Sequence, residues 1–534
     1  MPGRPWLGYF RPHSGSETPA WMRLFIAAVS GAALSFSYTG FYLSIYSWVC
    51  VGALLVALFG ARPRVAFLCG FLHGVCFVLT SVPWIAEVLA VHGGLSHAGG
   101  WGVLLLIAAV WATGNGAVTW AIQRLSLRSI TLACVGAPFL WVSLEVYRTW
   151  LPEISFPWNL LGYPAAANVA LVQLTTLTGI YGLSFVVAAF NALLAWCAAD
   201  MTYSPRRRLT ILVATIILVF VVMLAGPHFV PRAVANHTAR AVQLNFPEVE
   251  EYPADWFTLH ASDLDEIQRL SLAPAASHPD LLVWPEAPAP FTYQDVQFVH
   301  LASGLAFRLG HPFIAGVVEW KPETVSAGGT SHTIMAPYNS ALMFDGQGHR
   351  VFSYDKVHLV PFGEYEPFPL IHRVVSNVSS EVGGFRKGAK HSVGRFSNGY
   401  SFSVFICYEA IYPGEILHFA ENGAQLFVNI SNDGWFGHSA AAEQHLRMAR
   451  VRAVENRRWI VRATNSGITA SIDPYGRIVR PLPRDVRGAA DLPYDFRTDK
   501  TIYTRFGDWF AWLCVIVSGI LLVLTFRKAV QRPG

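Results

Sequence analysis

The chain has 534 residues, of which 53% are hydrophobic and only 14% charged. Soluble domains carry about 25% charged residues, so this composition excludes an ordinary soluble protein and points to a membrane protein. The formal net charge of +5 is mild. Its basic residues cluster beside apolar runs, which fits membrane topology and not nucleic-acid binding.

A bilayer crossing takes about 20 mostly apolar residues. Eight candidate spans follow in chain order: Leu24–Tyr38, Phe41–Ala61, Val65–Ile85, Trp101–Gln123, Ile130–Leu144, Val169–Ala199, Leu209–Gly226 and Trp509–Phe526. The first begins late and is followed by further spans, so it is expected to be an uncleaved helix and not a signal peptide. Basic clusters alternate with the spans. They are Arg4, Arg11 and Arg23; Arg62 and Arg64; Arg124 and Arg128; Arg206, Arg207 and Arg208; and Arg527, Lys528 and Arg532. A cytoplasmic N-terminus puts every cluster on the cytoplasmic side and the stretch between spans seven and eight on the far side. His73 inside the third span is expected to hydrogen-bond a neighbouring helix. Glu145 and Arg148, at the end of the fifth, are expected to form an interfacial ion pair.

Three domains are expected: a seven-helix membrane domain over 1–230, a soluble domain over 231–505, and a last transmembrane helix and tail over 506–534. The soluble stretch alternates strand and helix patterns. Strands are read at Ala241–Leu244, Leu281–Trp284, Phe313–Val318, Ala341–Phe344, Val351–Tyr354, Phe402–Ile406, Leu426–Ile430, Ile460–Ala463, Ile468–Ile472 and Ile478–Val479. Helices are read at Trp256–Leu272, Gln294–Leu309, Gly414–Glu421 and Ala440–Glu455. Asp345-Gly346-Gln347-Gly348 is a hairpin signal and Pro474-Tyr475-Gly476 a turn. The alternation implies an α/β domain with helices covering the sheets. Pro367–Lys390 lacks periodicity and reads as a long loop, a candidate lid.

Six of the seven cysteines fall inside apolar runs, and Cys407 alone lies outside them. It follows the strand-like Phe402–Ile406, so it is either a nucleophile at a strand-to-turn junction or a buried core thiol. Two other strands end comparably, in Trp284-Pro285-Glu286 and Tyr354-Asp355-Lys356. Strand ends of an α/β sheet are where sites form. Carboxylate, ammonium and thiol make a coherent set: Glu286 as general base, Lys356 stabilising thiolate and oxyanion, and Cys407 carrying an acyl group as a thioester. His438, Glu443 and His445 match no ligand spacing, and no metal site is expected there.

These three blocks resemble the Glu–Lys–Cys motifs of the nitrilase superfamily. Further blocks resemble the apolipoprotein N-acyltransferase family. They are Lys356-Val357-His358-Leu359-Val360-Pro361-Phe362-Gly363-Glu364, Asn429 to Gly437, Phe156 to Tyr163 and Arg462 to Gly467. The resemblance implies a multi-span α-helical membrane domain of about eight helices with a nitrilase-like α-β-β-α sandwich. It implies acyl transfer from the sn-1 position of a phospholipid to the α-amine of diacylglyceryl-cysteine in an apolipoprotein, the last step of bacterial lipoprotein maturation. Glu286, Lys356 and Cys407 would be catalytic, with the backbone N–H of Tyr408 beside Lys356 at the oxyanion. Glu364 would orient Lys356, and Tyr408 and Glu409 would support catalysis. It implies no cofactor, no metal and no nucleic acid. It implies a monomer in the bacterial inner membrane, with the catalytic domain periplasmic and both termini cytoplasmic. The chain departs from the family at Leu244, within Gln243-Leu244-Asn245, and at Tyr252, which leaves fine substrate preference open.

Three rivals remain. A membrane-anchored amidase would use the same triad on water. A transporter would place ionisable groups at mid-membrane, where these spans hold almost none apart from His73. A catalytically dead binding module would not need the intact Glu286, Lys356 and Cys407.

Overall fold

A computed structural model describes residues 18–40, 42–247, 253–287, 289–327, 330–365 and 384–526. Tyr252, most of the candidate lid, and the basic residues Arg4, Arg11, Arg527, Lys528 and Arg532 lie outside them. The chain forms two compact units. One comprises Met1–Ala86, Trp101–Val230 and Phe506–Gly534, the other Glu87–Gly100 and Pro231–Arg505.

The first unit is helical. Among its described residues, seven helices are long and apolar enough to cross a membrane: Ala20–Tyr38, Pro63–Ser81, His97–Ser126, Ile130–Trp150, Ile180–Ala199, Pro205–Phe229 and Trp509–Phe526. Seven of the eight expected runs therefore appear as full-length helices. The second run is shorter, a 3₁₀ segment Tyr42–Trp48 followed by a helix Cys50–Leu58. A helix end inside an apolar layer must have its free backbone groups satisfied. Here Asn191 accepts from the Gly52 N–H at 2.7 Å and donates to the Ser47 carbonyl at 2.8 Å. At the other end the Arg23 guanidinium donates to the carbonyls of Ala57 and Phe59, at 2.6 and 2.8 Å. The expected sixth run is broken at Gly179, whose φ of +64° suits glycine.

His73 reaches Ser30 of a neighbouring helix, Nδ1 to Oγ at 3.2 Å. Glu145 and Arg148 do not sit in a solvated interfacial pair. They are 2% and 9% exposed, and both hold the irregular segment that follows their helix. Arg148 Nη2 donates to the carbonyls of Trp158 at 2.8 Å and Phe156 at 3.3 Å, and Glu145 Oε1 accepts from the Leu161 N–H at 2.7 Å. Backbone without its own ladder needs such partners among membrane helices. A column of rings flanks the same segment. Trp111 stacks on Phe156 at 5.1 Å, Phe156 on Trp158 at 5.5 Å, and Trp158 meets Trp84 at 5.1 Å.

The second unit is an α-β-β-α sandwich with twelve strands among its described residues. They are β1 His237–Gln243, β2 Leu281–Val283, β3 Phe313–Ala327, β4 Thr330–Phe344, β5 Arg350–Asp355, β6 Gly394–Arg395, β7 Ser401–Ile406, β8 Leu426–Ser431, β9 Ile460–Thr464, β10 Ala470–Ile472, β11 Ile478–Val479 and β12 Gly488–Tyr494. One sheet has the order β12-β1-β2-β3-β4-β5, the other β11-β10-β9-β8-β7-β6. Each has three parallel central strands, β1-β2-β3 and β7-β8-β9, with antiparallel strands outside them. The strand period of two divides the first sheet between two cores. Leu281 and Val283 face the second sheet, while Leu282 packs with helices Ala261–Leu272 and Val296–Leu309. In the second sheet β7 and β8 are buried along their whole length, which fits the mostly apolar runs Phe402–Ile406 and Leu426–Ile430, broken only by Ser403 and Asn429.

Two expectations change here. Strands β3 and β4 are each fifteen residues long and pair as one hairpin, far beyond the short cores read from sequence. The helix expected over Trp256–Leu272 is two, Trp256–Leu259 and Ala261–Leu272, interrupted at His260. The Asp345–Gly348 turn forms as expected, with the Gly348 N–H donating to Asp345 O at 2.8 Å and φ +81° at Gly348. Leu244 is fully buried in the helix-side core.

Candidate active site

The three segments singled out by their strand ends meet. Glu286 lies three residues beyond β2, where the buried Trp284 anchors the chain. The turn that carries it runs close over β3 because position 316 is glycine. A Cβ there would stand 2.5 Å from the Pro285 carbonyl and 2.6 Å from Glu286 Cα. Lys356 leaves the end of β5, its backbone N–H donating to the Asn339 carbonyl on β4 at 2.8 Å. Cys407 directly follows β7 and opens a 3₁₀ turn, Cys407–Ile411, with φ +47°. That left-handed conformation costs a non-glycine residue about 1–3 kcal/mol and persists only where surrounding contacts hold it.

At the centre is a closed ring of two donors and two acceptors. Lys356 Nζ lies 3.1 Å from Glu286 Oε1 and 3.0 Å from Glu364 Oε1. Asn339 Nδ2 donates to the same two oxygens, at 2.7 and 2.6 Å. The second oxygen of each carboxylate is tied to backbone, Glu286 Oε2 to the Asn432 N–H at 2.8 Å and Glu364 Oε2 to the Val360 N–H at 2.7 Å. The Lys356 ammonium is 1% exposed. Burial alone would lower its pKa, but the carboxylates of Glu286 and Glu364 outweigh burial and hold it above the usual lysine range. It therefore stays charged. Cys407 moves the opposite way from a typical activated thiol. Burial pushes it up, the Glu286 carboxylate adds to this, and Lys356 only partly offsets them. The resting group is a thiol, so its proton must be removed at the moment of attack.

Behind the thiol lies a second network, which sequence reasoning missed. His445, fully buried, sets Nε2 2.9 Å from the Cys407 carbonyl and Nδ1 2.9 Å from Asp433 Oδ1. Asp433 also accepts from Ser431 Oγ at 2.7 Å and from Arg462 Nη2 at 2.7 Å. Burial would raise the Asp433 carboxyl, yet Arg462 and His445 hold it well below the usual range. The chain Arg462–Asp433–His445 thus grips the carbonyl of the nucleophile and fixes its unusual backbone. Among the described residues, Cys407, Asp433 and His445 are a set of metal-type ligands that converge, with ligand atoms within 4.8 Å of one another. Both ring nitrogens of His445 and both oxygens of Asp433 are already engaged, so the set reads as a hydrogen-bonded support. His438 and Glu443 do not join it. They face Asp485 and Arg484.

Glu409, two residues past Cys407, straps the nucleophile to the lysine segment. Its Oε1 accepts from Tyr354 OH at 2.6 Å, Val357 N–H at 2.7 Å and His358 N–H at 3.2 Å, and its Oε2 from Ile406 N–H at 2.7 Å. Burial pushes its carboxyl up to about 7, against these donors. Tyr408 is buried, its hydroxyl 3.2 Å from that of Tyr412. Glu415 bridges His358 and His391, and these two hold its carboxyl down, at about 2, although burial opposes them.

All six expected site residues therefore lie close together, five of them buried and Glu364 partly so. Asn339, His445, Asp433, Arg462 and Gly316 join them without having been singled out for this role. Asn339 stands in Tyr338-Asn339-Ser340, within a strand that carried no expectation at that position. Arg462 and Asp433 lay inside blocks already noted.

Two family models match the chain. The carbon-nitrogen hydrolase model covers residues 238–493 and the apolipoprotein N-acyltransferase N-terminal domain model residues 30–193. Relatives named apolipoprotein N-acyltransferase match along nearly the whole length. The protein of Geobacter metallireducens is 31% identical over 94% of this chain and 95% of its own. That of Rhodopseudomonas palustris is 30% identical over 96% of each. That of Methylococcus capsulatus is 29% identical over 96% of this chain and 98% of its own.

Two outcomes follow from the geometry. Asn339→Ala removes the donor shared by two carboxylates, and hydrogen bonds to charged groups are worth about 1.5–3 kcal/mol. Asn339→Asp keeps the shape but adds a third carboxylate, so it should lose more activity than Asn339→Ala; the reverse order in turnover assays would contradict the ring. Glu409 is raised by burial. It favours folding fully below the ordinary carboxylate pKa, and that contribution fades as pH rises toward about 7. The stability advantage of wild type over Glu409→Gln should therefore shrink between pH 5 and pH 8. Melting temperatures with a constant gap would refute the assignment.

Proposed function

The chain belongs to the apolipoprotein N-acyltransferase family, and we propose that Glu286, Lys356 and Cys407 carry its acyl transfer through a Cys407 thioester. It is a membrane-bound acyltransferase that acts on lipoproteins. The observation that carries the finer reading is the buried cluster of thiol, carboxylate and charged ammonium. A neutral resting thiol needs a base at the moment of attack, and Glu286 is the carboxylate whose charge acts on it most strongly.

In the first step Glu286 takes the Cys407 proton while the sulfur attacks the sn-1 ester carbonyl of a phospholipid. The developing oxyanion is held by the Lys356 ammonium, with the Tyr408 backbone N–H as second donor. Collapse breaks the ester C–O bond. Glu286 returns its proton to the departing oxygen, releasing a lysophospholipid and leaving the acyl group on sulfur. In the second step the α-amine of a diacylglyceryl-cysteine attacks the thioester, Glu286 accepts an N–H proton, and the thiol re-forms as the C–S bond breaks. Glu364 and Asn339 keep Lys356 and Glu286 in register throughout. Glu409 and Tyr408 support the nucleophile.

The partners are then a phospholipid donor and a diacylglyceryl apolipoprotein acceptor, both held in membrane lipid. We read residues 1–230 as the membrane domain, 231–505 as a periplasmic catalytic domain and 506–534 as the last span and tail. The setting is the bacterial inner membrane with cytoplasmic termini, supported by the clusters of arginine beside the apolar helices. Every group of the cluster comes from one chain, which supports action as a monomer.

With phospholipid labelled separately on its two acyl chains, only the sn-1 label should reach the N-terminus of a diacylglyceryl peptide. Glu286→Gln should slow this by about 10²–10⁴-fold. Transfer of the sn-2 label would overturn the donor assignment. Release of free fatty acid without N-acylation would indicate a hydrolase.

A further inference from the structure

The helical unit contains a small cavity, apolar over most of its lining, that the acyl-transfer chemistry does not use. It has a volume of about 20 Å³ and is lined among others by His73, Trp141, Glu145, Arg148, Asn159 and Leu161. Three polar atoms of its lining have no hydrogen-bond partner: Glu145 Oε2, Arg148 Nε and Asn159 Nδ2. Their residues are 2%, 9% and 4% exposed. The neighbouring atoms Arg148 Nη2 and Glu145 Oε1 hold the backbone of Phe156, Trp158 and Leu161, and Glu145, Arg148 and Asn159 all line the same small space. An unsatisfied polar group is costly in a protein interior, and three residues carrying one around a single cavity favour a shared guest.

We propose that this chamber is a binding site for one ordered water molecule. The donor and acceptor count fits water and few other guests. Arg148 Nε and Asn159 Nδ2 each offer a hydrogen, and Glu145 Oε2 accepts one. A water accepts two hydrogens and donates two, so it satisfies all three atoms and keeps one hydrogen to give. His73 supplies the remaining acceptor. Ser30 spends its hydroxyl hydrogen on the Cys50 carbonyl at 2.7 Å, so toward His73 Nδ1 its oxygen accepts. Nδ1 then carries the imidazole hydrogen, and Nε2 is left as a lone-pair acceptor. The volume agrees, since one water needs roughly 10–15 Å³ and two to four polar partners. The bound water couples helix Ile130–Trp150, which carries Glu145 and Arg148, to the segment Phe156–Tyr163 through Asn159. Asn159 adopts φ +54°, a conformation asparagine tolerates better than most residues.

The test uses the full chain in lipid nanodiscs, imaged by cryo-electron microscopy at a resolution where water is visible. A single peak within hydrogen-bond distance of Glu145 Oε2, Arg148 Nε and Asn159 Nδ2 is expected. A dry cavity, an elongated lipid or detergent density, or side chains rearranged into direct contact would each overturn the proposal. Melting temperatures give an independent reading. Asn159→Gly removes the amide while keeping the positive φ, and Glu145→Gln alters the acceptor. Each single variant should lower the melting temperature, and the double variant should fall by less than their sum, because both act on one bridging water. Strict additivity would contradict a shared guest.

Discussion

The structure of this site depends on a buried ammonium held between two carboxylates. Lys356 is almost without solvent, and a lone charge there would be strongly unfavourable. Glu286 and Glu364 compensate it, Asn339 donates to the same two oxygens, and backbone N–H groups of Asn432 and Val360 take the remaining ones. Breaking a buried pair of this kind typically costs about 3–5 kcal/mol. The arrangement is therefore also a constraint on the fold. The segments after β2 and β5, the middle of β4 and the chain after β8 must all meet at one point.

The nucleophile is prepared by backbone as much as by charge. Its thiol is not poised as a thiolate, because burial and the Glu286 carboxylate both favour the neutral form. What is prepared is position. The positive φ of Cys407 turns the chain from strand to 3₁₀ turn, His445 fixes its carbonyl, and Glu409 binds the Ile406 N–H together with the two N–H groups after Lys356. Base, ammonium and thiol are thus locked to one another through the main chain. A resting thiol that becomes nucleophilic only when Glu286 accepts its proton suits an acyl carrier that must not react before its lipid is bound.

Much of this was legible in sequence because strand ends are marked twice, by an apolar run and by the polar residue that breaks it. Glu286, Lys356 and Cys407 all carry that mark. The helical spans were legible from hydropathy alone, except at Gly179, which breaks the sixth run, and where Tyr42–Leu58 forms a 3₁₀ segment and a short helix whose ends are satisfied by Asn191 and Arg23, partners distant in sequence. The long β3–β4 hairpin was not legible beyond its inner ends. Glu319-Trp320-Lys321-Pro322-Glu323 carries charge and proline, and those residues pair across the hairpin at the strands' outer parts. Asn339 was lost with it. Strand β12 holds Gly488, Asp491 and Pro493, poor strand formers kept in place by pairing with β1. His445 was weighed as a metal ligand because helix position alone does not reveal that its two nitrogens meet Asp433 and the Cys407 carbonyl.

The central claim is that Cys407 carries the acyl group. Intact-protein mass spectrometry after incubation with phospholipid alone tests it most directly. Wild type should gain the mass of one fatty acyl group, lose it on hydroxylamine treatment, and pass it to a diacylglyceryl peptide, while Cys407→Ala gains nothing. A folded wild-type protein that forms no adduct, or an adduct that persists in Cys407→Ala, would contradict the account.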